Sequence, residues 1–479
     1  VSDYDLVVRG GTVVTETTRR TDIGILNGKI AAIGSDLQGR ETVDASGLLV
    51  LPGGVDSHCH IEQLRPEGGT DEETFLSASI SALAGGTTTV IPFSVQFKGQ
   101  PIRDTLAAYH RLARNALVDY SFHQIITDPT DAVIAEIPEI VASGIRSLKV
   151  FLTYDPLYLD DRQYVRVLAA ARRAGALVTV HCENYEAIRW RSAALVADGR
   201  VAPKYHVWSR PPAVEREATH RAIALAELVD QPIQVFHVSC SEVAEEIARA
   251  QARGVKVWAE TCPQYLVLTS ADLDRPGFEG AKFMCSPALR DAATRDALWD
   301  DITSGVLGIV SSDHSGFSYD GPRGKRMNGS DAAFPDIPNG LPGIGSRLAL
   351  LFSEGVGKGR ISLKDFVRLT ASNPADLFGL APRKGRIAVG ADADLALWDP
   401  TKQVIITNAL LQHAIDYTPY EGMAVTGWPV MTVLRGRIVM RDGTVQAAPG
   451  SGTFLPRAPY DFIQPAGVLA DGFDASAFA

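Results

Sequence analysis

No run of eighteen or more apolar residues occurs in this sequence, so a membrane-spanning helix is not expected. The opening residues, VSDYDLVVRG, have neither the basic flank nor the apolar stretch of a secretory signal, and a cytoplasmic protein is the expectation. Cysteine is scarce. The five present, Cys59, Cys182, Cys240, Cys262 and Cys285, are odd in number and never spaced as CxxC. That argues against a disulfide frame or a thiolate zinc site and leaves them as small buried hydrophobes. Basic charge is in deficit: 46 Lys and Arg stand against 56 Asp and Glu, a net charge of -10. The phosphate neutralisation that nucleic acid demands is missing, so no such partner is expected. Glycine (43) and proline (27) are scattered at ordinary levels, against collagenous or disordered chains. With 479 residues and 46% hydrophobic content, one large domain and a smaller one are expected.

What is present is alternation. From about residue 49, the β-rich runs LLVLPGGVDSH, TTTVIPF, YSFHQII, SLKVFL, LVTVHCE, IQVFHVS, VKVWAET and GIVSSD alternate with amphipathic stretches such as ETFLSASISALAGG and DRQYVRVLAAARRAG. Eight near-continuous apolar strands, each followed by a helix, are what a closed parallel barrel needs. An open doubly wound sheet shares the rhythm, but its first turn normally carries a glycine fingerprint for phosphate, and here histidines follow instead. The expected fold class is α/β, a (β/α)8 TIM-like barrel over residues 51–384. The texture changes at either end. YDLVVRGGTVV and IGILNGKIAAIG read as hairpins turning at Gly-Gly and Asn-Gly, while DADLALWDP, QVIITN and MTVLRGRIVMRDGTVQ are again short strands with glycine turns. Residues 1–50 with 385–445 are therefore expected to form a small β-sandwich into which the barrel is inserted. Residues 446–479 lack periodicity and read as a C-terminal tail, either loose or laid as an oligomerisation arm on a neighbouring subunit.

Barrels of this kind carry their reacting groups at the C-terminal ends of the strands. Strand one ends in Asp56-Ser57-His58-Cys59-His60, and a period of two turns both imidazoles to one face with Cys59 on the other. Strand five ends in His181, strand six in His237 and strand eight in Asp313, while strand four offers Lys149, followed by Phe151 and Tyr154. A lone strand-end histidine is usually a hydrogen-bonded structural residue. Four of the ten histidines and an aspartate at one end of the barrel favour a metal site instead. His110, His123, His206, His220, His314 and His413 lack that placement and read as structural. Lys149 is the odd member, since an ammonium beside two divalent cations would be repelled; there it must be neutral or modified. A desolvated amine can add carbon dioxide to give a carbamate, whose two oxygens can bridge two metals. The competing reading is a surface lysine flanked by apolar neighbours.

Taken in order, LPGGVDSHCH, AGGTTTVIPF, SLKVFLTYD, HCEN, FHVSC, AETCPQYL, CSPALR, SSDHSGF, IPNG, SNPADLFGL, KGRIAVGADADLALWD and WPVMTVLRGRIV resemble the dihydropyrimidinase and hydantoinase branch of the cyclic amidohydrolases over nearly the whole chain. The resemblance implies a binuclear zinc centre, with His58, His60 and Asp313 on one ion, His181 and His237 on the other, and carboxylated Lys149 bridging them. A bridging hydroxide would then open the cyclic amide bond of dihydropyrimidines or hydantoins, giving N-carbamoyl amino acids. In that scheme Asp313 moves the proton from the hydroxide to the departing ring nitrogen, its alternative being a purely structural ligand. Tyr154 sets its hydroxyl on the substrate oxygen, its alternative being an aromatic anchor for its loop. Backbone groups of Ser286 and Asn339 would meet the NH and carbonyl edges of an uncharged ring. The partners expected are a small cyclic amide or ureide and, in a homo-oligomer (dimer or homotetramer), further copies of the chain.

Departures from the pattern bear on substrate. The loop from Ile61 to Thr70 is longer and more charged than the apolar one of hydantoinases that take aromatic side chains, so small or polar 5-substituents are expected. Arg65 either meets an anionic substituent or pairs with Glu62 or Glu67. A dihydroorotase usually has arginine where Glu62 stands, which counts against dihydroorotate, and an allantoinase asparagine nearby, which makes allantoin less favoured; the two activities stay as alternatives. Non-catalytic scaffold relatives have lost the ligands, and mononuclear deaminases need no strand-four lysine; the complete set of six argues against both.

Overall fold

The computed structural model describes residues 3–65 and 68–468. Five strands open the chain: β1 (Tyr4–Val14), β2 (Thr18–Leu26), β3 (Lys29–Gly34), β4 (Gly39–Asp44) and β5 (Leu49–Pro52). Ten follow: β6 (Gly54–His60), β7 (Thr87–Val95), β8 (Asp119–Tyr120), β9 (His123–Ile125), β10 (Ser147–Phe151), β11 (Leu177–His181), β12 (Ile233–Val235), β13 (Val257–Thr261), β14 (Ile309–Val310) and β15 (His314–Ser315). Four close it: β16 (Leu395–Ile405), β17 (Ala424–Leu434), β18 (Arg437–Arg441) and β19 (Thr444–Val445).

The ten central strands pair in the order β14-β13-β12-β11-β10-β9-β7-β6-β15, with β8 beside β7. β8 and β9 are two pieces of the third barrel strand, and β14 and β15 two pieces of the eighth. Because β14 pairs with β13 while β15 pairs with β6, both in parallel, the sheet closes on itself. Closure rules out the open doubly wound sheet. Every residue of β7, β10 and β11 is buried, as strands covered on both faces must be. The helices start and stop on local signals. Thr74 and Ser77 cap α1 (Phe75–Ala84) reciprocally; Asp160 and Gln163 do the same for the helix Asp161–Ala174, which ends at Gly175 with φ 73°. Tyr164, Val167, Leu168 and Ala171 give that second helix its buried stripe. No helix among the described residues is long and apolar enough to cross a membrane.

Strands from both ends of the chain form one further sheet, ordered β19-β18-β17-β16-β5-β1-β2-β3 with β4 on β1. This β-rich terminal domain encloses its own apolar core, including Leu6, Val8, Ile23, Ile25, Leu395, Leu397 and Val433. The run LLVLPGGVDSH turns out to divide: Leu49–Pro52 pairs with β1 and β16, and the barrel begins after Gly53, where a Cβ would meet Thr88 at 2.3 Å. YDLVVRGGTVV is one strand and not a hairpin. Gly10, at φ 69°, lies in a register shift between Val8 and Gly11, a bulge that bends the strand without reversing it. The Asn27–Gly28 turn is as read, with φ of 53° and 78° matching the mirror-image turn that suits strand twist.

A buried ion cluster ties the two parts together. Lys384 Nζ lies 2.6 Å from Asp119 on β8 and 2.7 and 3.0 Å from Asp394 and Asp392 beside β16. Residues 446–468 do not hang free but run over the chain's own barrel. Tyr120 N–H donates to Thr453 at 3.0 Å, Leu455 N–H donates back to Tyr120 at 2.7 Å, and the buried Arg457 donates to Ser147 Oγ at 2.9 Å. The rest of the tail, 469–479, lies outside the described residues.

Candidate metal centre and active site

The mouth of the barrel opens into a cavity of about 1340 Å³ whose wall includes His58, His60, His181, His237, Asp313, Tyr154, Ser286 and Asn339. The period of two along β6 does turn His58 and His60 to one side. Their Nε2 atoms lie 3.1 and 3.5 Å from the same Asp313 oxygen, and one ligand atom from each of the three falls within 4.8 Å of the others. His181 ends β11 and His237 follows β12; their ring centroids are 4.4 Å apart, and His237 is 5.2 Å from His58. Four imidazoles and a carboxylate thus share one point of the cavity.

Three of the four imidazoles are held from behind. His58 Nδ1 meets Glu260, His60 Nδ1 lies 3.1 Å from Gln63 and His181 Nε2 lies 2.7 Å from Glu183. Each bond occupies one ring nitrogen and leaves the other for the centre, the arrangement that orients metal-binding imidazoles. Glu183 is itself bound at 2.6 Å by the buried Arg210. Burial pushes His181 down to about 4 and holds His237 well below its ordinary value, so both rings are neutral at pH 7, as ligation requires. Burial works against the Asp313 carboxylate, but His58 and His60 outweigh it and keep the group ionised.

Lys149 does not reach solvent. Its side chain is 0% exposed, Nζ has no hydrogen-bond partner, and the ring centroids of Phe236, Phe151 and Phe93 surround it at 4.1, 4.7 and 5.7 Å. Burial pushes this amine down to about 7, so much of it is free base near neutrality. An orphaned buried amine, an orphaned His237 Nδ1, and imidazole and carboxylate donors turned toward each other fit divalent metal.

Backbone strain gathers at the same place. His237, Asp313 and Tyr154 adopt φ of 42°, 47° and 70°, left-handed values that bulky side chains rarely accept and that cost on the order of 1–3 kcal/mol each. Burial also lifts the Tyr154 hydroxyl above its ordinary range, so it stays protonated, with the Arg210 guanidinium 5.4 Å from its ring. The N–H and C=O groups of Ser286 and Asn339 make no hydrogen bond within the described chain, and neither do Ser286 Oγ and Asn339 Oδ1.

Sequence reasoning passed over Glu260, Glu183, Gln63, Arg210 and His206. Glu260, at the end of strand seven, and Glu183, a period of two past His181, carry the same strand-end signal. His206, read as structural, lines the cavity and donates to the Cys285 carbonyl at 2.8 Å. The charged loop also differs from expectation. Arg65 does not pair with Glu62: its Nε donates to Asp71 at 2.6 Å and its guanidinium lies 4.9 Å from the Phe317 ring centroid; the other partner expected for it, Glu67, lies outside the described residues. Glu62, at φ 47°, turns from the cavity and accepts the Phe75 N–H at 2.8 Å, satisfying a free donor in the first turn of α1.

Comparison with known proteins places these features. The amidohydrolase family model matches residues 49–439. A D-hydantoinase of Rhizobium radiobacter is 43% identical over 461 residues, 95% of this chain and 99% of that protein. One from Geobacillus stearothermophilus is 44% identical over 461 residues, 95% and 97% of the two chains. The crystal structure of dihydropyrimidinase from Brevibacillus agri NCHU1002 aligns with a TM-score of 0.92 at 41% identity, covering 95% of this chain and 99% of that one.

Proposed function

This chain belongs to the amidohydrolase family, and on that premise we propose that it hydrolyses the cyclic amide bond of hydantoins or dihydropyrimidines to N-carbamoyl amino acids. The observation that carries the reading is the convergence of His58, His60, His181, His237, Asp313 and the orphaned Lys149 amine from five barrel strands. His58, His60 and Asp313 would hold one divalent ion and His181 and His237 a second, zinc in both cases, with carboxylated Lys149 between them. The carbamate forms when the neutral amine nitrogen bonds to the carbon of carbon dioxide and one proton leaves to solvent. When bound, the two ions supply a water-derived nucleophile at neutral pH and polarise the scissile carbonyl.

The remaining work falls to side chains and backbone. Asp313, ionised at neutral pH, accepts the proton released on attack and hands it to the departing ring nitrogen. Tyr154 keeps its proton and donates toward the carbonyl oxygen as negative charge grows there. The free N–H and C=O groups of Ser286 and Asn339 pair with the edges of a neutral imide or ureide ring. Arg65 on the cavity wall favours small or polar 5-substituents over phenyl. Trp190, Val196, Val201 and Trp208 are exposed apolar side chains on and after the helix Tyr185–Ala197, which supports a homo-oligomer.

The deciding experiment incubates the zinc-loaded protein with hydantoin, dihydrouracil, allantoin and dihydroorotate and follows ring opening by chromatography. Carbamoyl products from either of the first two rings, with about two ions per chain by elemental analysis, are expected. Activity confined to allantoin or dihydroorotate would overturn the substrate assignment, and one ion with full activity would overturn the paired centre.

A further inference from the structure

Ser286 and Asn339 reach the cavity on loops that leave different strands, so their relative placement needs a cause. One direct bond joins the loops: Gly340 N–H donates to Met284 at 3.0 Å. The other join is a lysine. Lys325 is 0% exposed, and its Nζ donates to the carbonyls of Met284, Pro338 and Gly340 at 3.0, 2.6 and 2.7 Å. Three acceptors match the three donors of an ammonium. No carboxylate lies within ion-pair distance of it among the described residues; burial pushes the amine down to about 7, and the three carbonyl dipoles are what favour its protonated form. Its own N–H is anchored to Ser318 at 2.7 Å.

The peptide planes show what this clasp orients. In a trans peptide the C=O and N–H of one plane point in opposite directions. Both peptides flanking Asn339 are trans. With the Pro338 carbonyl drawn to Lys325, the Asn339 N–H must point the other way. With the Gly340 N–H drawn to Met284, the Asn339 C=O must do the same. Both groups are free of protein partners, and their residue lines the cavity. A donor and an acceptor side by side suit the N–H and C=O of one edge of a cyclic imide or ureide. We infer that Lys325 is a positioning residue for substrate, its Nζ setting the peptide before Asn339 so that the free groups of Asn339 face the ring. An apolar side chain would fill the same space without the cost of burying a polar amine, so the amine is explained by the carbonyls it aims.

The inference rests on the proposed ring hydrolysis, and the test separates the two. Lys325→Met and Lys325→Gln are compared with the wild type, all zinc-loaded, using whichever of hydantoin and dihydrouracil the wild type opens. In Lys325→Met, KM is expected to rise by about tenfold or more with kcat within about threefold, because contacts made equally in ground and transition state are lost. Lys325→Gln, which retains two donors, is expected to recover part of the KM. Metal content should not change, and amide hydrogen exchange should quicken in 337–341 but not in the barrel strands. An unchanged KM, or equal losses in kcat and metal content, would overturn the positioning role. Failure of both variants to fold would do so too, by assigning Lys325 to stability. A wild type that opens neither ring sinks the functional reading instead, and is recognised before any variant is compared.

Discussion

Lys149→Met puts a magnitude on the strangest residue of the centre. In metal-free, uncarboxylated protein the Lys149 amine has no hydrogen-bond partner and sits among three phenyl rings, and burial lowers its pKa from 10.5 to about 7. Below about pH 7 both folded and unfolded chains hold the proton, and the folded one bears the full cost of the buried charge. Between about 7 and 10.5 the folded amine is neutral while the unfolded one stays charged, so stability rises with pH; above 10.5 the penalty is gone. A lowering of this size costs the metal-free native state about 4 kcal/mol near pH 7, a figure the aromatic faces reduce in part. Methionine occupies similar space, carries no charge and contacts aromatic rings favourably. Urea unfolding of metal-stripped proteins in carbonate-free buffer, followed by circular dichroism, should therefore give Lys149→Met the higher midpoint at pH 7, with the gap closing toward pH 10. Adding zinc and bicarbonate should reverse the order, since only the wild type gains the binding free energy of ions held by the carbamate. Equal midpoints at both pH values, or a variant that takes up two ions and works, would refute the reasoning.

Asp313→Asn keeps an oxygen toward His58 and His60 but cannot accept a proton, so kcat should fall by a factor on the order of 10² or more while part of the metal stays bound; near-native kcat with full metal would move the proton to another residue. Glu260→Gln weakens the hold on His58 Nδ1, and titration with a chelator should show metal affinity lowered by about 10- to 100-fold without loss of fold. An unaltered affinity would mean that Glu260 does not orient the ring. Arg65→Leu should raise the kcat/KM ratio of 5-phenylhydantoin over hydantoin by about tenfold, whereas Glu62→Gln should leave it unchanged because that carboxylate serves the start of α1. Equal effects of the two substitutions would show that Glu62 faces substrate after all.

Much of this could be read from the chain because the signals are local. Eight apolar runs alternating with capped amphipathic stretches make a barrel legible, since strand and helix periods are properties of neighbouring residues. The same period placed His58 and His60 on one face. Strand-end position singles out His181, His237, Asp313 and Lys149 as candidates, and the turn at Asn27–Gly28 needed only two residues. Pairing across the chain was another matter. Gly10–Gly11 can reverse a strand or bulge it, and only the partner strand decides; here the β1–β2 register makes it a bulge. Leu49–Pro52 has the composition of a barrel strand, yet the terminal sheet takes it because β1 and β16 lie alongside. Glu260 reaches His58 across 202 residues, and Lys325 reaches the carbonyls beside Ser286 and Asn339 across 41, 13 and 15. Such contacts follow from which strand ends meet at the barrel mouth. Sequence could name the groups able to bind a metal; the closed sheet decided that His58, His60 and His181 are tied from behind and by which nitrogen, which amine is left without a partner, and which backbone groups face the cavity.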